Sequence, residues 1–197
     1  MSSDDRLKEY RAKRDFSKTP EPEGGGTQPG DEPIFVIQKH DASNLHYDFR
    51  IEVDGVLKSW AVPKGPSLNP SVKRLAVPTE DHALDYADFE GVIPEGEYGA
   101  GTVMVWDVGT YCNKRQDKHD DQATMIESLE EGKVEVELKG EKMQGGFVLV
   151  RTGTEKDSRW LLIKMNDKHV DRDTDILEEN PKSAKSDKTL EEIEKAG

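Results

Sequence analysis

A chain of 197 residues has room for one domain with extensions at its ends. It is 35% charged, with a formal net charge of −13 and a mean hydropathy of −0.84, which argues against a nonspecific nucleic-acid coat protein but not against an enzyme that grips phosphate locally. No stretch approaches the roughly 18–20 apolar residues of a membrane helix, the first residues lack the apolar run of a secretory signal, and the single cysteine, Cys112, excludes an intramolecular disulfide and any zinc site built from several thiolates, so a soluble, cytoplasmic protein is expected.

Residues 1–30 begin with an amphipathic, helix-like piece, DDRLKEYRAKRDF, and run into TPEPEGGGTQPG, whose proline and glycine content reads as a linker. From Pro33 the pattern turns to strands. PIFVIQKH is followed by LHYDFRIEV, and Asp54-Gly55, a strong two-residue hairpin signal, returns the chain as VLKSWAVP. The proline-rich PKGPSLNPS (Pro63 to Ser71) is a loop and RLAVPTE another short strand. The irregular DHALDYADFEGVIPEGEYGAG is rich in glycine, acidic and aromatic residues, and a loop of that length inside a domain tends to carry function. TVMVWDVGTY is a strand. DDQATMIESLEEG carries an Asp N-cap, helical apolar spacing at Ala123, Ile126 and Leu129, and a closing Gly132, so it predicts a helix. KVEVELKG, GGFVLVRT and RWLLIKM complete a meander through the polar turns GEKMQG and GTEKDS. From Asp167 onward, ten acidic and six basic residues with little apolar content predict a solvated tail with a short helix near TLEEIEKA. The expected architecture is all-β, a compact closed or partly open barrel of about eight strands with one or two short helices. It occupies residues 31–168, between an N-terminal segment (1–30) and a flexible tail (169–197).

Along LHYDFRIEV, alternation places His46, Asp48 and Arg50 on one face and Tyr47, Phe49 and Ile51 on the other. An apolar face is ordinary for a strand, whereas a face of His, Asp and Arg marks a site. With His40 just upstream, two imidazoles and a carboxylate form a facial set for a divalent ion. Nitrogen and carboxylate ligands without thiolate favour Mn2+ or Fe2+, with Zn2+ also compatible. Arg50, Lys64 and Arg74 beside such an ion imply an anionic substrate, since guanidinium groups grip phosphate through a planar fork and lysine supplies a point charge. Glu80 and His82 share a face if their strand continues, so that the carboxylate orients the imidazole toward a phosphoryl oxygen or a leaving group. Tyr86 reads as a donor to the same phosphate or, almost equally on pattern alone, as a core tyrosine. Arg14, Asp15 and Glu21 can fold onto the site from the N-terminal segment. Lys73 reads as a surface charge, Trp60, Trp106 and Trp160 as core, and His119 and His169 as incidental.

QKHDASNLHYDFRIEVDGVLKSWAVPKGPS, KRLAVPTEDHALDYADFEGVIPEGEYGAGTVMVWD and GEKMQGGFVLVRT with RWLLIK resemble the phosphoesterase domain of bacterial DNA ligase D, an enzyme of non-homologous end joining. The likeness runs from about Tyr10 to Lys168. With no ligase or polymerase domain beside it, the free-standing form found in some archaea and bacteria is expected. The resemblance implies a β-barrel with Mn2+-dependent 3′-end-healing activity, other ions such as Co2+ or Zn2+ being compatible. A phosphodiesterase step removes a 3′-terminal ribonucleoside and leaves a 3′-phosphate; a phosphomonoesterase step then yields a 3′-OH. It further implies that His40, His46 and Asp48 are metal ligands, that Arg50 and His82 contact phosphate, and that Lys64, Arg74, Glu80 and Tyr86 complete the active site. Arg14, Asp15 and Glu21 match a segment tied mainly to the ribonuclease step. Expected partners are DNA 3′ ends or primer–templates, and a separate ligase, polymerase or Ku-like protein, with the chain itself a monomer. Met165 after LLIK, where the family often has His, and the acidic tail depart from the pattern.

Two other readings fit parts of the same sequence. A non-haem iron oxygenase also uses two His and one carboxylate. A noncatalytic nucleic-acid-binding barrel would need exposed aromatics on a basic groove, at odds with this acidic composition.

Overall fold

In the computed structural model, which describes residues 2–154 and 157–197, the strand read from LHYDFRIEV spans Leu45–Val53 (β2) and its two faces go to different places. Tyr47, Phe49 and Ile51 enter a core with Trp60, Trp106 and Trp160, while His46, Asp48 and Arg50 face the other way. β2 lies between β1 (Ile34–Asp41) and β3 (Val56–Val62), joined to β3 by Asp54 (φ 52°) and Gly55 (φ 82°), the left-handed pair that a tight hairpin requires. β4 (Arg74–His82), β5 (Gly91–Ile93), β6 (Gly101–Asn113), β7 (Lys133–Gly140), β8 (Gln144–Thr152) and β9 (Arg159–Lys164) follow. Every pairing is antiparallel, in the order β1-β2-β3-β4-β9-β8-β7-β6, and β6 returns to β1. Eight strands thus close a barrel, and β5 adds a ninth along β6. Of the turn predicted over GTEKDS, Glu155 and Lys156 lie outside the described residues.

The outer wall is not bare. Val36, Val56, Leu57, Val103 and Val105 point outward from the strands into a second apolar cluster with Tyr10, Leu84, Tyr86, Phe89 and Ile93. After the short helix α1 (Ser3–Arg6), which buries nothing, Leu7, the helix α2 (Lys8–Ala12) with Tyr10, and a 3-10 turn over Leu84–Asp88 supply that cover. Covering both faces makes β2 buried almost throughout, where a one-sided strand would alternate. Gly101 permits the close approach of β6 to β1, because a Cβ there would stand 2.0 Å from the Asp41 carbonyl oxygen.

The internal helix α3 is shorter than predicted, Met125–Glu131, and its N-cap is Thr124 rather than an aspartate. Thr124 and Glu127 form a reciprocal capping box and Gly132 (φ 79°) ends the helix. Ile126 is 44% exposed, while Met125 and Leu129 make the inward stripe.

The expectation of a solvated tail over 169–197 needs correction. Helices α4 (Ile176–Glu179) and α5 (Leu190–Ala196) place Ile176 and Ile193 in the barrel's buried cluster. Asn180 accepts from Trp106 Nε1 at 2.7 Å, and Ala184 N donates to the Val105 carbonyl at 2.9 Å. Composition concealed this because few apolar side chains suffice when backbone bonds to β6 share the attachment. Ile193→Ala is expected to lower the unfolding free energy by about 2–5 kcal/mol, measured by urea titration; a solvated tail would leave the midpoint unchanged.

Candidate active site

Antiparallel pairing sets His40 of β1 opposite His46 of β2, with ring centroids 4.9 Å apart. Asp48, two residues on, shares their face. Its Oδ2 lies 3.5 Å from His40 Nδ1 and 3.3 Å from His46 Nε2. The outer nitrogens decide the tautomers. His40 Nε2 bonds the Gly99 carbonyl at 2.7 Å and His46 Nδ1 the Asn44 carbonyl at 2.9 Å. A carbonyl only accepts, so these nitrogens carry the hydrogens when the rings are neutral, and the inner ones turn lone pairs toward Asp48. Three electron-rich atoms within 4.8 Å of one another form a donor set that could hold a cation. These residues fit a divalent transition metal.

Charge around the set points the same way. Burial pushes the Asp48 carboxyl up, but the Arg50 charge and the hydrogen bonds that His40 and His46 donate when their inner nitrogens carry a proton outweigh it and hold the group well below the usual range. Burial pushes His46 down, and the hydrogen bond and charge of Asp48 more than offset it, leaving the imidazole raised. Arg50 Nη2 lies 3.4 Å from Asp48 Oδ2 and its Nε donates to Gln38 Oε1 at 2.8 Å, while the buried Nη1 has no partner among the described residues. Gln38 in turn donates its amide to the carbonyls of Tyr86 (2.8 Å) and Phe89 (3.0 Å), fixing the segment that follows β4 to the barrel wall.

A bulge brings in β4. Ser59 faces Thr79 and Leu57 faces His82, so β4 has one residue more than β3 between these points. Thr79, Glu80 and His82 all reach the cavity as a result. It is the backbone carbonyl of Glu80, not its carboxylate, that orients His82, by accepting from Nδ1 at 2.9 Å. The carboxylate instead pairs with Arg14 and Lys13, each at 3.3 Å. His82 Nε2 accepts from Arg14 Nη2 at 3.3 Å. Burial, then the charges of Arg50 and Arg14, hold this imidazole well below its ordinary value and neutral.

The N-terminal segment closes the far side. Tyr10 is fully buried and its hydroxyl bonds the Pro22 carbonyl, folding residues between them against the wall. Arg14 Nε pairs with Glu21 at 2.9 Å, and Tyr86 donates its hydroxyl to the same carboxylate at 2.7 Å. Burial and the Glu21 charge push the Tyr86 phenol up, so it remains a donor. Its ring covers the Arg50 guanidinium at 4.9 Å.

The resulting cavity, about 210 Å³, is lined by His40, His46, Asp48, Arg50, Glu80, His82, Tyr86, Arg14 and Glu21, on the wall opposite the barrel core. Three predicted residues are not brought to it. Asp15 is exposed and bonds Ser17 and Lys18; Lys64 is exposed beyond β3; and Arg74 is half-buried at the start of β4. Sequence reading missed Gln38, Thr79, Tyr98 and Gly99. Gln38 shares the alternation of His40, a usable signal, whereas nothing local marks Gly99 as the residue whose carbonyl accepts from histidine. Two guanidiniums face three carboxylates in the cavity, so a divalent ion would reverse the local sign and favour an anion.

A barrel carrying such a set on its wall belongs to the class with donors that could hold a divalent ion. The chain belongs to the DNA ligase D 3′-phosphoesterase domain family, whose profile matches residues 38–151. It is 51% identical over 196 residues to the multifunctional non-homologous end joining protein LigD of Pseudomonas aeruginosa, covering 96% of this chain and 22% of that protein. The corresponding DNA repair protein of Mycobacterium tuberculosis is 52% identical over 158 residues, 80% of this chain and 19% of its own length. The LigD of Mycolicibacterium smegmatis is 43% identical over 173 residues, 87% of this chain and 22% of its own. This chain thus spans about a fifth of these relatives.

Gln38→Leu removes one acceptor from Arg50 and both amide bonds to the Tyr86–Phe89 backbone. Each buried group left unpaired costs about 1–3 kcal/mol. The variant is expected to lose at least about 2 kcal/mol in a urea titration, and wild-type stability would show the amide to be dispensable.

Proposed function

We propose that the chain is a metal-dependent phosphoesterase that heals DNA 3′ ends, removing a 3′-terminal ribonucleoside and then the 3′-phosphate to leave a 3′-OH. The observation that carries this reading is the convergence of His40, His46 and Asp48 beside an Arg50 nitrogen that has no partner among the described residues. When bound, a divalent ion such as Mn2+ would supply Lewis-acid charge at the scissile phosphate and a water of lowered pKa. His40, His46 and Asp48 would hold that ion, with Co2+ or Zn2+ as alternatives.

Arg50 lies where a second charge on the phosphate would be met, and Tyr86 and Gln38 keep its guanidinium in place. His82 is neutral in the free protein because two arginines and burial oppose its charge. A phosphate entering beside those arginines offsets them, so its presence favours the protonated imidazole that can serve the leaving oxygen. Glu80 and Glu21 hold Arg14, which becomes a second cation for the substrate. Lys64 and Arg74 stand outside the cavity and would serve the strand leading into it, and Asp15 would act only at the rim. The substrates in this reading are DNA 3′ ends and primer–templates of end-joining repair in the cytoplasm, handled by a monomer and passed to a ligase, polymerase or Ku-like partner.

The test is digestion of a DNA primer ending in one ribonucleotide, with products resolved by end group. Chelation is expected to stop product formation and added Mn2+ to restore it. His46→Ala and Asp48→Ala are expected to abolish both steps, and Arg50→Ala to lower kcat about 10²- to 10³-fold, as for loss of one preorganised donor. Retained Mn2+-dependent turnover in the first two variants overturns the metal assignment.

A further inference from the structure

The cavity does not enclose a nucleotide. Its 210 Å³ or so falls below the roughly 300–1,000 Å³ of sites that engulf a drug-sized ligand. A phosphoryl group can enter while the nucleoside attached to it stays at the mouth, and the mouth carries an aromatic ring. Tyr98 lines the cavity yet is 46% exposed, the one aromatic among the large exposed apolar side chains of the described residues. A ring left in water forgoes the burial that draws most aromatics into cores.

Its position is fixed. Turn bonds from Glu97 N to the Pro94 carbonyl (3.2 Å) and from Ala100 N to the Glu97 carbonyl (3.1 Å) shape the loop. The next residue, Gly99, gives its carbonyl to His40. Tyr98 therefore stands one residue from a contact that orients a candidate metal ligand. Its ring centroid is 5.3 Å from the Arg14 guanidinium and 5.1 Å from Lys13 Nζ, within the range where cations hold an aromatic face.

We propose that Tyr98 is the stacking platform for the nucleobase next to the reacting phosphate. The proposal rests on the phosphoesterase reading above and names how that site holds its substrate. A net charge of −13 opposes long-range attraction to a phosphate backbone, so an uncharged contact adds grip on a strand end. Stacking supplies it without sequence preference, since every base presents a π-face. The competing role is structural, with Tyr98 merely shielding the Arg14 and Lys13 charges.

Steady-state kinetics separate the two, using 3′-phosphate oligonucleotides that end either in a normal nucleoside or in an abasic residue. Tyr98→Ala is expected to raise KM about 5- to 150-fold on the base-bearing end, the usual worth of one base–aromatic stack. It should change kcat little and leave the abasic end unaffected. Tyr98→Phe, which keeps the ring, should match wild type. Equal losses on both ends, or none on either, overturn the platform. A binding measurement stands apart from turnover: a product strand with a 3′-OH and a terminal 2-aminopurine, with divalent ion present throughout. Wild type and Tyr98→Phe should quench its fluorescence and Tyr98→Ala should not; quenching that ignores the substitution also overturns the proposal. A wild-type protein that quenches but hydrolyses no 3′-phosphate defeats the phosphoesterase reading and leaves the stacking site intact.

Discussion

A carboxylate buried on a barrel wall has to be compensated, and the compensation of Asp48 organises much of this structure. Its nearest charge is Arg50, itself buried, whose Nε needs the Gln38 side chain. Gln38 spends its amide hydrogens on the Tyr86 and Phe89 carbonyls, which brings Tyr86 over the guanidinium. Tyr86 then requires an acceptor, Glu21, and Glu21 requires Arg14. Each link is buried, so removing one partner strands the next, at a typical cost of about 3–5 kcal/mol when a buried ion pair is broken. The N-terminal segment is tied to the site by this sequence of contacts rather than by helix propensity, since α1 and α2 are too short to persist alone.

Placing the site outside the barrel separates two demands. The interior is filled by aromatic and branched side chains, including three tryptophans. It can be packed for stability without leaving space for a substrate. The outer wall of β1, β2 and β4 carries the polar face, and the cover laid over it creates a second, smaller apolar cluster around the cavity. Low dielectric there strengthens every charge interaction and keeps His82 neutral in the free protein. Stability and chemistry share strands but use opposite faces of them.

Much of this was legible in the sequence, unevenly and for physical reasons. Strand alternation carried furthest: it set Tyr47, Phe49 and Ile51 on one face and His46, Asp48 and Arg50 on the other, as observed. The same period applied to β1 would have included Gln38 with His40, but an amide gives no chemical signal until its partners are known. The β4 bulge escaped notice because an extra residue is defined by the strand opposite, and Lys64 and Arg74 were grouped with the site through sequence proximity that β4 does not turn into contact. The tail was misjudged because composition averages over residues. Ile176 and Ile193 act singly, and hydrogen bonds from the backbone leave no mark in hydropathy. Family resemblance, by contrast, named a reaction that no periodicity could name.

The acidic character of the chain becomes intelligible once local charge is separated from global charge. A protein that tracked duplex DNA through many lysines and arginines would bind internal phosphates as well as ends, and the internal ones vastly outnumber the ends. Here two arginines are buried in one cavity and balanced by three carboxylates, so without a metal ion the cavity offers an anion little attraction. A divalent ion, if held by His40, His46 and Asp48 as proposed, would tip that balance at one point only. On this reading the surface repels the body of the strand while the cavity accepts its terminal phosphate. A cavity too small for a nucleotide adds a steric condition, because only a phosphate at an accessible end can reach the buried ligands. On the proposed function, a preference for ends would follow from charge placement and cavity size together, with no surface needed that recognises DNA as a polymer.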